Sequence, residues 1–223
     1  MAEGQIGPPK APAPAAFFHA SGGGGFAESL FHAWGGLIHT VVTQRNMRIH
    51  LLAAVLVGMV GAGIPLGLAE KVIMIFCVLL IFFAEILNSA LEHLVDLAVQ
   101  QFDENARLVK DTAAAGVLVL AIGTVVIFAA ILVHNAEVIA THGEQITRQV
   151  VLGVPFTLLA GALMHEAKKP VVLDVLMFVA ALALLGVMVL TAESYVMWAM
   201  TLGLLLVTAS AAWSRQKIRR AGQ

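Results

Sequence analysis

Residues 72–96 read VIMIFCVLLIFFAEILNSALEHLVD, and this stretch decides the fold. From Val72 to Ala84 it carries no charge; then come Glu85, Asn88, Glu92 and Asp96, spaced at i, i+3, i+7 and i+11. At 100° per residue these four fall within about an 80° arc, so a single helix presents them on one face. The apolar segment starts near Glu70 and runs unbroken to about Gln100, longer than the roughly 20 residues a bilayer requires. Its last third therefore leaves the hydrocarbon, with the polar face at the boundary. An unpaired carboxylate at that depth is costly, which makes Glu85 and Asn88 functional candidates. For Asp96 the solvated face of an emerging helix is an equally good account.

The rest of the chain has the same character. Of 223 residues, 60% are hydrophobic and 12% charged, where soluble domains carry about 25% charge. A core of this size cannot bury so much apolar surface, so lipid must solvate part of it. The net charge of −1 supplies no basic field for nucleic acid, and the single Cys77 excludes a disulfide framework. An all-α integral membrane protein is expected.

Residues 1–25, rich in Pro, Ala and Gly and without an apolar h-region, read as a disordered tail. Residues 26–43 are apolar but interrupted by Glu28, His32, His39 and two glycines, which suits an interfacial helix with Trp34 at headgroup level. Spans follow at about 48–68, 70–100 and 106–134, with a turn at Gln101 to Asn105. After a polar loop at 135–146, further spans are expected at about 147–166, 170–191 and 195–213, then a basic tail. Trp198 and Trp213 fit interfacial anchors, and Asp174 an interfacial position.

Six spans place eleven basic residues on one side: Lys10, Arg45, Arg48, Arg107, Lys110, Lys168, Lys169, Arg215, Lys217, Arg219 and Arg220. Only Lys71 and Arg148 remain for the other. This positive-inside bias predicts that both termini are cytoplasmic.

Beyond the turn, Arg107-Leu-Val-Lys110-Asp111 opens the third span at the level of the stripe. Carboxylates and an Asn can hold Mg²⁺ through oxygen, and the cations can neutralise phosphate. No G-x-x-x-x-G-K-[ST] loop occurs in the chain, so a nucleotide site would be unconventional.

Together, Glu85-Ile-Leu-Asn88-Ser-Ala-Leu-Glu92-His-Leu-Val-Asp96 and Lys110-Asp111-Thr-Ala-Ala-Ala-Gly-Val-Leu resemble the signature of the small prokaryotic diacylglycerol kinase and undecaprenol kinase family. Arg45-Asn46-Met47-Arg48-Ile49-His50 is similar to that family's entry into its first span, and Trp34 and Gly36 to its interfacial helix. The resemblance covers about residues 26–134. It implies an interfacial helix plus a three-helix kinase-like unit, followed here by about three further transmembrane helices (147–223 with the tail). It also implies a homotrimer with shared sites in the bacterial inner membrane, and transfer of the γ-phosphoryl of MgATP to a lipid alcohol, either diacylglycerol or undecaprenol.

By position, the resemblance makes Glu85 the general base, with Asn88 supporting the site and Glu92 binding Mg²⁺. Lys110, Asp111 and Arg107 would position nucleotide phosphates, with Asp111 also near the metal. Gln44 stands where the best-known members carry a second metal-binding Glu; it keeps an oxygen ligand and loses the charge. The interfacial helix also lacks the basic residues often found there. A non-catalytic lipid-binding or transport-related protein on the same scaffold is the alternative. An ion-coupled carrier fits less well, because the acids sit toward one end of an intact helix.

Overall fold

The computed structural model describes residues 25–190 and 195–221. Among these the chain is helical, without strands: α1 (Phe26–Thr43), α2 (Arg45–Gly63), α3 (Leu68–Ala98), α4 (Glu104–His134), α5 (Ala136–Thr141), α6 (Gly143–Met164), α7 (Val171–Val189) and α8 (Tyr195–Ala221). Helices α2, α3, α4, α6, α7 and α8 are long and apolar enough to cross a membrane. The protein is a multi-pass, all-α integral membrane protein. The described residues 25–35 belong to a unit of their own and are exposed, with a Glu28–His32 contact of 3.7 Å; the expected disordered tail lies outside the described residues.

Local chemistry sets the helix ends. Pro65 disfavours helical geometry in the residue before it, and Ile64 is extended (φ −109°, ψ 135°), so α2 stops at Gly63. Asp103 caps α4 by accepting from the backbone of Asn105 at 2.8 Å and Ala106 at 3.0 Å. The stretch 135–146, expected as a loop, holds α5 and the first turn of α6 instead. Asn135 ends α4 by donating to Ile131 O and ties it to α3 through Glu70 Oε1 at 2.7 Å.

Helices α3 and α4 form an antiparallel pair, while α2 is packed mainly by α8 and α6, with α7 behind them. One face of α2, including Met47, Leu51, Ala54, Val55 and Met59, is buried. On α8, Met197, Trp198, Thr201, Leu204, Leu205, Thr208, Ala211 and Ala212 recur at three and four residues and are buried. Trp198 belongs to this seam at 3% exposure, which corrects its expected interfacial position; Trp213, 65% exposed, lies off the seam.

The basic tail is also not a tail. Helix α8 continues to residue 221, and Arg215 is buried, donating to Met164 O and, at 2.9 Å, to Leu163 O. Arg219 donates to Ala167 O at 3.1 Å and to Glu166 O. A helix C-terminus leaves carbonyls without intrahelical donors; the Arg215 guanidinium satisfies two at the end of α6, and Arg219 two more in the connection that follows it. Asp174, expected at an interfacial position, is half-buried, accepting from Gln216 Nε2 at 2.8 Å and pairing with Lys169 at 3.4 Å.

Close approach of α2 and α8 depends on Gly58. A Cβ there would lie 2.5 Å from Thr201 Oγ1, and that hydroxyl already donates to Met197 O at 2.9 Å. Gly58→Ala is therefore expected to cost about 1–3 kcal/mol, read as a lower thermal midpoint in detergent. Gly186→Ala, with open space around the same atom, should leave the midpoint unchanged or raise it.

Candidate functional site

The polar face of α3 points inward where it meets the α1–α2 junction. Glu85 is 1% exposed, Asn88 5% and Ser89 3%, whereas Glu92 is half-buried and Asp96 exposed. Gln44, the single residue between α1 and α2, has extended backbone (φ −93°, ψ 121°). That geometry turns its side chain to α3, where Nε2 donates to Glu92 Oε2 at 3.3 Å and approaches Ser89 Oγ at 3.4 Å. Asn88 Nδ2 donates to the other oxygen, Glu92 Oε1, at 3.0 Å. Two neutral amides thus hold one carboxylate. Glu85 Oε2 and Asn88 Oδ1 are buried without a hydrogen-bond partner among the described residues. Both are acceptors, and they lie one helical turn apart.

The cationic segment is brought only partly to this cluster. Lys110 Nζ pairs with Asp96 Oδ1 at 2.5 Å, joining the start of α4 to the stripe one turn beyond Glu92. Arg107 instead turns along its own helix, 3.4 Å from Glu104 and 3.7 Å from Asp111. Asp111, with its side chain 67% exposed, pairs with Arg107 and, among the described residues, makes no hydrogen bond or ion pair with the acid cluster within one chain. These exposed i,i+3 and i,i+4 pairs contribute little to stability, so both side chains are free to exchange partners.

Among the described residues no group of three or more His, Cys, Asp or Glu side chains could hold a metal ion. The donor set is nevertheless all hard oxygen: the Glu92 carboxylate with the unpaired Glu85 Oε2 and Asn88 Oδ1 on the same face. Mg²⁺ commonly takes one or two protein carboxylates and completes its shell with substrate phosphates and water. The residues fit that mode. Gln44, expected as a ligand, uses its amide N–H to steady Glu92, so its contact here is with the carboxylate.

Ser89 and Asp96 complete the polar face. The sequence placed Asp96 on the stripe but did not pair it with Lys110, and it missed Ser89. Ser89 lies four residues after Glu85, so helical spacing could have found it. His93 stays exposed, its Nδ1 2.8 Å from Ser89 O and its ring 5.8 Å from that of His39.

The family model for prokaryotic diacylglycerol kinase matches residues 31–132, which include every residue of this cluster. The undecaprenol kinase of Bacillus subtilis is 36% identical over 97 residues, 44% of this chain and 79% of that protein. The chain belongs to the prokaryotic diacylglycerol kinase family. The diacylglycerol kinase of Synechocystis sp. is 37% identical over 100 residues, 44% of this chain, and the alignment spans 57% of that protein's length. The diacylglycerol kinase of Escherichia coli K12 is 28% identical over 95 residues, 43% of this chain and 78% of that protein. No solved structure matches. Helices α5 to α8 lie outside the region shared with the kinase family.

Replacing Gln44 by Glu would set two carboxylates against each other where an amide now donates. Gln44→Glu is expected to destabilise by roughly 1–4 kcal/mol in metal-free buffer, the range for like charges about 4 Å apart at intermediate dielectric. Millimolar Mg²⁺ should recover most of the loss, whereas wild type should respond less; thermal unfolding with and without chelator tests both.

Proposed function

We propose that this protein is an ATP- and Mg²⁺-dependent lipid kinase, acting on a membrane lipid alcohol at the cytoplasmic face of the bacterial inner membrane. The observation that carries the reading is the pair of buried, unpaired acceptors, Glu85 Oε2 and Asn88 Oδ1, on a helix face shared with Glu92 inside the kinase-family region. A buried carboxylate oxygen without a donor is poised to accept a proton, and the substrate hydroxyl has one to give.

In the proposed reaction the lipid hydroxyl donates its proton to Glu85 as its oxygen bonds to the γ-phosphorus. The bond from that phosphorus to the β–γ bridging oxygen breaks, and ADP leaves with the electron pair. Glu92, steadied by Gln44 and Asn88, would hold Mg²⁺, which screens charge on the phosphate oxygens. Lys110 would turn from Asp96 to the nucleotide phosphates, and Arg107 and Asp111 would complete the phosphate and metal contacts. Positioning and fixed charge supply most of the rate enhancement in such transfers.

The eleven-to-two distribution of basic residues supports an orientation with both termini and the acid cluster on the cytoplasmic side. Assembly as a homo-oligomer, a trimer by resemblance, would let a neighbouring chain bring Asp111 and Arg107 to a cluster they do not reach within one chain. The exposed apolar faces of α3 and α4 are consistent with such contacts.

The competing reading, a non-catalytic lipid-binding or transport-related protein, is favoured by one observation: the residue at position 44 donates to Glu92 instead of adding a second negative charge. Purified protein in mixed micelles with radiolabelled ATP and a panel of lipid alcohols separates the two. Labelled lipid should form from diacylglycerol or undecaprenol, and Glu85→Gln should lower the rate by about 10²–10⁴-fold with the fold intact. No labelled lipid with any alcohol would favour the non-catalytic reading, and unchanged turnover in the variant would remove Glu85 from the mechanism.

A further inference from the structure

Helix α6 carries a second polar stripe, and it has no place in the kinase chemistry. Gln145, Gln149, Gly153 and Thr157 recur every four residues, along the part of α6 that packs near α2. Gln149 is only 4% exposed, yet neither its Nε2 nor its Oε1 has a hydrogen-bond partner among the described residues. Gln145 Nε2 and Thr157 Oγ1 are buried and unpaired as well. The stem of Gln149 lies over Gly63, where an added Cβ would come within 3.1 Å of it. Beside it runs a cavity of about 250 Å³ between α2 and α6.

Three properties define what fits this cavity. Its rim residues Leu56, Val150 and Val154 are exposed on membrane-crossing helices, so it opens toward lipid. No charged residue lines it, so a phosphate or ammonium headgroup would be buried without a counter-charge. The Gln149 amide needs both a donor for Oε1 and an acceptor for Nε2; an ester carbonyl only accepts, whereas a hydroxyl does both. Leaving buried polar groups unpaired costs about 1–3 kcal/mol each, and hydrocarbon offers no water to relieve it.

We propose that this groove binds an uncharged lipid alcohol, its hydroxyl bridging the two atoms of the Gln149 amide and its chain lying along the apolar walls. The site is distinct from the acid cluster. It reaches Gly63 and Ile64 at one end of α2, while Gln44 precedes the other end, about 28 Å away along a 19-residue helix. Charge selects against the phosphorylated lipid, so the groove distinguishes an alcohol from its phosphate. The binding stands on the groove alone; its meaning as a store of substrate for the acid cluster rests on the kinase reading.

Photolabelling of the full chain in lipid vesicles tests this. The probes are a diacylglycerol and a long-chain prenol, each with a diazirine in the chain, and the acetate ester of each. At least one free alcohol should label residues 143–160 about tenfold more than its acetate, and Gln149→Leu should abolish that difference; tenfold corresponds to about 1.4 kcal/mol, one hydrogen bond. Equal labelling by alcohols and acetates in the wild type overturns the proposal, and so does an undiminished preference in Gln149→Leu. The alcohol–acetate comparison needs no variant to fold. Glu85→Gln should retain the labelling, so labelling without phosphate transfer in the wild type would sink the kinase reading and leave the groove standing.

Discussion

Hydrocarbon does not tolerate a polar side chain without a partner, and this constraint organises the protein from α3 outward. Four polar residues on one face of a membrane-crossing helix must be covered by something that can hydrogen-bond. The α1–α2 junction meets that demand with Gln44, and Asn88 adds a second amide from α3 itself, so that Glu92 is held on both oxygens. Further along the same face, Lys110 takes Asp96 and ties the start of α4 to α3. What remains unpaired among the described residues, Glu85 Oε2 and Asn88 Oδ1, stands out beside the paired Ser89, Glu92 and Asp96.

The helices beyond the kinase-family region have their own part in this arrangement. Of these, α6 and α8 pack on α2, the element that follows Gln44, with α7 behind them, and α4 keeps only Val117 and Ile131 buried among the described residues. Packing α8 against α2 requires Gly58 at the crossing. At one end, Arg48 joins Glu166 of the α6–α7 connection at 2.5 Å, linking the entry to α2 directly to the added helices. The added half thus braces the helix that follows the junction, and its own polar stripe lies against α2, with Gln149 over Gly63 at the end of α2 opposite Gln44.

Much of this was legible in residue order. The carboxylates and Asn88 share a face by spacing alone, and the spans announce themselves by length and apolarity. The family signature covers Glu85 to Asp96 without a gap. Other features were not legible. Trp198 reads as an interfacial anchor on a one-dimensional map, because nothing local reveals that α8 turns that face to α2. Arg215 and Arg219 read as a basic tail until α6 is seen to end beside them with unsatisfied carbonyls. The resemblance puts Asp111 near the metal, but sequence order does not show its partner within one chain: one residue on from Lys110 is a 100° rotation on a helix, and Asp111 pairs there with Arg107.

By itself the sequence determined the helical class, the membrane setting and the polar face of α3, which follow from composition and period along one chain, and the kinase-family region, which follows from the resemblance of its motifs. Tertiary structure alone decided that Gln44 donates to Glu92, that Lys110 takes Asp96, that α6 and α8 pack on α2, and that Gln149 lines a groove without a partner among the described residues. Those facts depend on which helix faces which, and that is fixed by packing between segments far apart in the chain, such as Gly58 of α2 against Thr201 of α8, a relation no local pattern encodes.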